Sequence, residues 1–265
     1  MLKVAVPNKG TLADDAILML REAGYLPKPV GRSLVVVDTA NDAEFYLLRP
    51  RDIATYVAAG QLDVGITGRD LLLDSGTGAQ ELLALGFGFS TFRWAAPTGT
   101  ARSVSDLAGR RIATSYRGLV GSALSAAGVS AQIVGLDGAV ENAVALGVAD
   151  AVADVVDTGT TLRAAGLELV GEPILNSEAL LIGRPGADDS AQVVQMLRRL
   201  EGVIVARTYV MMEYDIGHFV ICRSRDQGVV CGTLKALIPQ PGGLPAAVLT
   251  DARQIYGWEG ETNTL

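Results

Sequence analysis

Residues 151–162 read AVADVVDTGTTL, a stretch that combines an apolar strand, a polar turn and the start of a helix. The apolar residues Ala151–Val155 predict a buried strand, and Thr160–Ala165 predicts a helix. Gly159 between them lets the backbone turn tightly. A strand that runs into a helix through a short turn is the repeating unit of α/β folds.

The turn carries the groups that a phosphate monoester needs, namely several hydrogen-bond donors at close range. The following helix adds free backbone N–H groups. The residues concerned are Asp157, Thr158, Gly159, Thr160 and Thr161. The alternative interpretation is that DTGTTL is only a helix start with Thr158 as its N-cap. The loop chemistry by itself leaves both interpretations open.

Asp154 lies just before this turn and narrows the kind of ligand that the turn is expected to bind. A carboxylate does not bind phosphate, but it suits the hydroxyls of a ribose or a Mg²⁺ ion on a neighbouring diphosphate. The segment therefore fits a ribose 5-phosphate better than a bare phosphate.

Strands separated by helices extend in both directions from this segment. Upstream we expect strand Lys3–Val6, a helix capped by Thr11 and running to Ala23, a hairpin of Leu34–Asp38 and Glu44–Leu48, a helix from Pro50 to Gly60, strand Asp63–Thr67 and helix Gly68–Leu73. Nearer to the turn we expect strand Arg111–Thr114, helix Leu119–Ala127, strand Gln132–Val134 and helix Ala139–Leu146. Such alternation predicts parallel sheets.

The alternation breaks around residues 87–100, which predicts two α/β lobes with a cleft between them. We expect residues 1–90 and 184–216 to form lobe I and residues 91–183 to form lobe II. Residues 217–265 differ in their use of Pro, Gly and Cys and show few clear periodicities. Within them, PQPGGLPAAV breaks any helix or central strand, and the polar end of the chain is expected to fray.

The composition excludes several classes of protein. The 265 residues are 49% hydrophobic and 19% charged, which is enough to bury a core and excludes a disordered chain or a coiled coil. The net charge of −7 argues against a nucleic-acid partner. We expect no membrane span and no targeting segment, and hence a cytoplasmic protein.

The cysteine and histidine content excludes further chemistry. Cys222 and Cys231 have no zinc-site or redox-motif spacing and are expected to be inert. His218 is the single histidine, so a histidine-based metal site or a Ser–His triad is excluded.

Several segments together resemble the ATP phosphoribosyltransferase family, which catalyses the first step of histidine biosynthesis. The signature is Glu141-x₅-Gly147-x-Ala149-x₂-Val152-x-Asp154-Val155-x₂-Thr158-Gly159-x-Thr161-Leu162. The other segments are VAVPNKG (Val4–Gly10), FYLLRPRDIATYV (Phe45–Val57), LDVGITGRDLL (Leu62–Leu72) and GEPILNSEALLI (Gly171–Ile182). The resemblance covers about residues 1–216 and is to the catalytic portion of the family's long form.

This resemblance implies a reaction between ATP and phosphoribosyl pyrophosphate (PRPP). The phosphoribosyl group would pass to N1 of ATP with release of pyrophosphate, and Mg²⁺ would be the cofactor. The implied fold is a two-lobed α/β catalytic region like that of periplasmic binding proteins, with the site in the cleft and an atypical C-terminal segment.

The resemblance also implies roles for individual residues. The PRPP-binding residues would be Asp154, Asp157, Thr158, Gly159, Thr160 and Thr161. The pyrophosphate or the nucleotide would contact Lys9, Gly10, Arg49, Gly68, Asp70 and Tyr116, and Glu141 would contact Mg²⁺ or the ribose. Each also has an ordinary alternative: a solvated loop for Lys9, a surface pair with Asp52 or Glu44 for Arg49, a helix cap for Asp70, simple packing for Tyr116 and an exposed helix position for Glu141.

PRPP carries its own leaving group, so the protein needs no covalent nucleophile. Its C1–O bond can break early to give an oxocarbenium-like transition state. The tasks left to the enzyme are positioning, neutralisation of pyrophosphate and exclusion of water. We assign no catalytic acid or base from the sequence, and we expect a locally positive cleft within an acidic protein.

The C-terminal segment departs from the resemblance. Long members of the family carry a histidine-binding regulatory domain there, with a strand-helix-strand alternation that residues 217–265 do not show. The segment is a diverged domain, a vestigial tail or the product of a shifted reading frame. Under the last two interpretations histidine inhibition is lost or weak. The resemblance implies a homo-oligomer, a dimer that can assemble into a hexamer, and the departure could abolish the larger form.

Two other functions remain open at this stage. One is a two-lobed binding protein that holds an anion without chemistry. The other is a phosphoribosyltransferase for another base, because an acidic residue before a TGxT loop is shared by many such enzymes.

Overall fold

The computed structural model describes residues 1–25, 33–156, 159–208, 215–224, 228–238 and 246–254. Its helices are α1 Thr11–Glu22, α2 Pro50–Ala58, α3 Arg69–Ser75, α4 Arg117–Ala126, α5 Asn142–Ala145, α6 Thr160–Ala164 and α7 Ala191–Thr208. Its strands are β1 Leu2–Pro7, β2 Val35–Asp38, β3 Ala43–Leu48, β4 Val64–Gly68, β5 Gln80–Ala84, β6 Ser90–Pro97, β7 Arg111–Thr114, β8 Gln132–Gly135, β9 Ala151–Val156, β10 Leu167–Ser177, β11 Ala179–Gly183, β12 Phe219–Ser224, β13 Gly228–Ile238 and β14 Ala246–Gln254.

The first sheet has the strand order β2-β3-β1-β4-β11-β5. Its centre is parallel, because β1 pairs in parallel with both β3 and β4. The apolar faces of α1 and α7 pack on one side of it, and α2 packs on the other through Ile53, Ala54 and Val57. Burial on both faces explains why β1 and β4 are nearly continuous apolar runs.

The second sheet has the order β10-β6-β9-β7-β8. Here β7 pairs in parallel with β8 and β9. Helix α4 packs on one face beside Phe92 and Trp94, and residues of α5 and α6 pack on the other face. The two sheets confirm the expected pair of α/β lobes.

The chain crosses between the sheets twice, once from β5 to β6 and once from β10 to β11. The strands at these crossings pair antiparallel with their neighbours, so each sheet is mixed and the predicted parallel pairing holds only for part of it. Strand β11 lies in the first sheet, between β4 and β5. The predicted boundary at 183/184 therefore falls one strand too late, and the return to the first lobe occurs at Glu178.

Local signals placed most of the predicted elements correctly. The hairpin of β2 and β3 is present and antiparallel, and Pro50 is the first residue of α2. Two details were wrong. Gly10, rather than Thr11, occupies the N-cap of α1. The predicted helix Ala139–Leu146 shrinks to α5, because Ala139 has a φ of 48° and a right-handed helix cannot include that conformation.

The C-terminal segment contains strands that the sequence did not reveal. Strands β12, β13 and β14 form an antiparallel sheet in which Leu234 is fully buried. Part of PQPGGLPAAV and the end of the chain from residue 255 lie outside the described residues.

Within the described ranges, none of the helices has the length and apolarity needed to cross a bilayer.

Close packing in the first lobe leaves no room for a side chain at Gly65 of β4. A Cβ added there would lie 2.5 Å from Cγ2 of Ile53 and 3.0 Å from Cβ of Ala5. We predict that Gly65→Ala lowers the free energy of unfolding by about 1–3 kcal/mol through overpacking, as measured by urea denaturation. The control is Gly78→Ala, whose Cβ would meet no described heavy atom within 4 Å. Equal losses in both variants would contradict the prediction.

Candidate active site

Three neighbouring parallel strands of the first sheet end at one edge. Lys9 and Gly10 follow β1, Arg49 follows β3, and Gly68 ends β4, with Asp70 in the first turn of α3. The loops after β1 and β3 are joined, because the N–H of Asn8 donates to the carbonyl of Leu48 at 2.8 Å. Lys9 and Arg49 are both exposed there. The edge is thus cationic and open, as the carboxyl ends of parallel strands are in ligand-binding α/β folds.

The second sheet presents a corresponding edge. Tyr116 follows β7, Asp154 lies near the end of β9, and the turn leads into α6. Gly159 has a φ of 68°, in the left-handed region that favours glycine. Thr160 and Thr161 are exposed. Asp157 and Thr158, both predicted to bind phosphate, lie outside the described residues.

The turn has open space next to it. Gly159 borders a cavity of about 350 Å³ whose lining includes Thr91, Arg93 and Arg163. Helix α6 has five residues, so its dipole is small. Any binding of an anion here depends mainly on threonine hydroxyls, backbone N–H groups and nearby guanidinium groups.

The two edges face each other through Asp70 and Tyr116. The Ser177 hydroxyl donates to Oδ1 of Asp70 at 2.8 Å. The Asp70 carboxylate also lies near the Tyr116 side chain, and the two interact electrostatically. Asp70 is only 7% exposed. A Cβ at Gly68 would collide with this carboxylate, so a larger residue there would displace it. The N-cap of α3 is Gly68, so Asp70 links the lobes rather than capping its own helix.

Tyr116 is held firmly at this junction. Its ring packs edge-on against Phe92 with centroids 4.9 Å apart, and the guanidinium of Arg51 lies 4.3 Å from its ring centroid. Burial, followed by the charge of Asp70, raises the pKa of Tyr116 well above its usual range. The hydroxyl therefore stays protonated and can donate a hydrogen bond, but it cannot serve as a base.

Asp154 is a half-buried carboxylate behind the turn. Burial raises its pKa; the Val155 N–H, which donates to Oδ1 at 2.8 Å, opposes this. The charges of Glu141 and Asp70 raise that pKa further, and the charge of Arg51 lowers it. Glu141 is half-buried at the N-cap of α5, so it is not simply an exposed helix residue. Carboxylates therefore gather on the side where the ribose is expected.

Sequence reasoning missed Arg51, Asp74, Ser115 and Ser177. Arg51 and Ser177 lie inside motifs that the resemblance singled out, and Asp74 lies two residues beyond one of them. Arg51 donates to Asp74 and to Ser115, which is 64 positions away. No local pattern identifies contacts over such separations.

The two α/β lobes, with the polar ends of their strands facing each other, form the kind of two-lobed fold that binds a ligand between its lobes. A profile of the ATP phosphoribosyltransferase family matches residues 49–202. The chain is 58% identical over 219 residues to ATP phosphoribosyltransferase of Streptomyces avermitilis, covering 81% of this chain and 77% of that protein. It is 60% identical over 216 residues to that of Kocuria rhizophila, covering 82% and 77%. The chain belongs to the ATP phosphoribosyltransferase family.

Solved structures agree with this assignment. A chain of the ATP phosphoribosyl transferase (HisG:HisZ) complex from Thermotoga maritima matches with a TM-score of 0.68 and 28% identity, covering 77% of this chain and 98% of that one. A periplasmic sulfonate-binding protein from Methylobacillus flagellatus matches with a TM-score of 0.51 and 15% identity, covering 78% and 69%. The second match shows the fold alone and confirms the predicted likeness to periplasmic binding proteins.

The raised pKa of Asp154 leads to a prediction about the stability of the protein. Because the folded protein holds this proton more tightly than the unfolded chain, the stability that Asp154 contributes is complete below the ordinary carboxyl pKa and is lost as the pH rises through the raised pKa. We predict that Asp154→Asn unfolds at a higher urea concentration than the parent at pH 7, and that this difference vanishes at low pH.

The control has the opposite sign. Hydrogen bonds from Arg111 lower the pKa of Asp150 to about 2, so its contribution is present above the ordinary carboxyl pKa and is lost as the pH falls toward 2. Asp150→Asn is therefore expected to destabilise the protein at pH 7. A lower stability of Asp154→Asn at neutral pH would contradict a raised pKa of Asp154 in the folded protein.

Proposed function

We propose that this protein transfers the phosphoribosyl group of PRPP to N1 of ATP and releases pyrophosphate, the first step of histidine biosynthesis. Membership of the family supports the reaction. The observation that supports the placement of the site is the contact of Arg51 with the ring of Tyr116 and the hydroxyl of Ser115, because it brings the polar strand ends of both lobes together.

PRPP is assigned to the second lobe. The turn Asp157–Thr161 would surround the 5′-phosphate, and Asp154 would accept hydrogen bonds from the ribose hydroxyls. The left-handed Gly159 and the exposed hydroxyls of Thr160 and Thr161 support this assignment. The charge of half-buried Asp154 would also favour a positive centre nearby, as at C1 in an oxocarbenium-like transition state.

ATP and the departing pyrophosphate are assigned to the first lobe. Lys9 and Arg49 are the exposed cations at its strand ends and would neutralise phosphate charge, with Gly10 next to them. Gly68 and Asp70 would border the nucleotide. The Tyr116 hydroxyl would position a substrate group as a donor, since it does not ionise. We assign no covalent nucleophile and no dedicated acid or base.

Mg²⁺ fits this site as a companion of the diphosphate. Among the described residues, the side chains form no group of three or more His, Cys, Asp and Glu that could hold a metal ion by themselves. Mg²⁺ usually binds through one or two carboxylates together with substrate phosphates. Asp154 and Glu141 interact electrostatically and would supply those carboxylates. Bound Mg²⁺ would neutralise negative charge on the leaving pyrophosphate.

We also propose that the protein works in the cytoplasm as a homo-oligomer, either a dimer or a hexamer. The similar Thermotoga maritima chain belongs to a multisubunit complex, which supports assembly in this family but does not indicate the number of subunits.

The proposed reaction is tested by incubating the protein with PRPP, Mg²⁺ and ATP and following the absorbance of the N1-substituted adenine. We predict product formation, and a loss of about 10- to 100-fold in kcat/KM for Lys9→Ala, because a phosphate loses a charged partner. The matched control is Lys3→Ala: Lys3 is also exposed, but it lies at the opposite end of β1.

Two outcomes would replace the proposal. Product with another base but not with ATP would indicate a different phosphoribosyltransferase. Tight PRPP binding without turnover of any base would indicate a binding protein.

Regulation by histidine provides a further prediction. In the part of residues 217–265 that the structure describes, consecutive strands pair antiparallel rather than alternating with helices as expected of the family's regulatory domain. We predict that histidine inhibits the reaction weakly or not at all, as measured by titrating histidine into the assay at fixed PRPP and ATP. Strong inhibition would show that residues 217–265 retain a histidine site.

A further inference from the structure

The carboxylate of Asp74, a residue of the first lobe, forms hydrogen bonds with the second lobe. Asp74 lies near the C-terminal end of α3, and its Oδ1 accepts hydrogen bonds from the N–H groups of Gly118 at 2.9 Å and Leu119 at 3.1 Å. These are the second and third residues of α4. First-turn N–H groups have no partner within their own helix, and a carboxylate accepts charge-assisted hydrogen bonds from them. Helix α4 is thus capped by a residue of the other lobe.

A second interaction supports this cap. The other oxygen, Oδ2 of Asp74, pairs with Nη1 of Arg51 at 3.0 Å, and Nη2 of Arg51 donates to Oγ of Ser115 at 3.1 Å. Arg51 also lies over the ring of Tyr116. The Asp74 side chain is 15% exposed, so solvent screens these bonds only partly. Arg51 and Asp74 together hold the segment that leads from β7 into α4.

The two helices approach each other at backbone distance. A Cβ on Gly118 would collide with the carbonyl oxygen of Asp74. Glycine at this position is therefore required by the contact between lobes, not by a turn. This close backbone contact fixes the distance between α3 and α4. It also fixes the direction from which the Asp74 carboxylate caps α4.

The contact lies next to the proposed site. Asp70 and Asp74 are one turn apart on α3, and both reach the second lobe, Asp70 at Tyr116 and Asp74 at the two N–H groups that follow. Helix α3 also meets the crossing strand at Ser177, whose hydroxyl accepts the N–H of Asp70 at 3.0 Å. One face of α3 thus sets where the second lobe sits relative to the first.

We propose that Asp74 is a positioning residue for phosphoribosyl transfer. The inference rests on the proposed function, in which PRPP is held by the second lobe and ATP by the first. Attack of N1 of ATP on C1 of PRPP then requires that the two lobes keep a fixed position relative to each other. Small displacements of the reacting atoms slow such a step strongly. Asp74 itself touches no substrate in this scheme and acts through α4.

The test separates positioning from binding and from stability. Asp74→Ala is expected to lower kcat by on the order of 10- to 100-fold. The Kd for PRPP, measured by equilibrium binding, is expected to change less than about threefold, because the residues that bind it stay in one lobe. Asp74→Asn keeps an oxygen for the N–H groups and is expected to recover part of the rate.

The matched control is Asp106→Ala. Asp106 also accepts backbone N–H groups, from Arg102 at 2.9 Å and Ser103 at 3.0 Å, but all three residues lie within the second lobe. Its loss is expected to lower Tm and to leave kcat unchanged. An equal fall of kcat in Asp106→Ala, or a kcat of Asp74→Ala within about twofold of the parent, would overturn the inference.

Gly118→Ala provides a second and chemically different test, and it is used if Asp74→Ala does not fold. It leaves the carboxylate in place and pushes the helices apart, so it is expected to lower kcat with little change in PRPP affinity. Retention of full kcat in Gly118→Ala also overturns the inference. Failure of the parent enzyme to form product would instead reject the proposed function.

Discussion

Parallel pairing at the centre of each sheet is the constraint on which the rest of this structure depends. Parallel strands send their carboxyl ends to one edge, so Lys9, Arg49 and Gly68 meet at the end of β3-β1-β4. The pairing of β7 with β9 does the same for Tyr116 and Asp154. Each lobe therefore collects polar groups from distant parts of the chain without any of them being close in sequence.

The two crossings turn these separate edges into one site. Because the chain leaves the first sheet after β5 and returns at β11, two covalent connections limit how the lobes move. Polar contacts then fix the position of one lobe relative to the other. Buried Asp70 joins Ser177 and Tyr116, and Asp74 joins the N-terminus of α4. Glycine at positions 68 and 118 leaves room for these contacts, because a Cβ at either place would collide with an aspartate of α3.

The balance of charge in the site follows from the chemistry that the family performs. Under the proposed function, the cations of the first lobe would face phosphate groups, and Asp154 and Glu141 would lie on the ribose side of the second lobe. Keeping Asp154 charged in a half-buried position costs stability, since partial burial raises its pKa. A transition state with positive charge at C1 would recover that cost. The protein is thus less stable than it could be at the place where it is expected to react.

The sequence by itself determined the strand-turn-helix units, the two lobes, the strand ends that bear Lys9, Arg49 and Asp70, and the family, because these depend on short-range patterns of apolar residues, glycine and proline. Only the tertiary structure decided that β11 lies in the first sheet, that β12–β14 pair with each other, and that Asp70 and Asp74 reach the second lobe. These features depend on contacts between residues far apart in the sequence. Such contacts produce no periodic pattern of residue types along the chain.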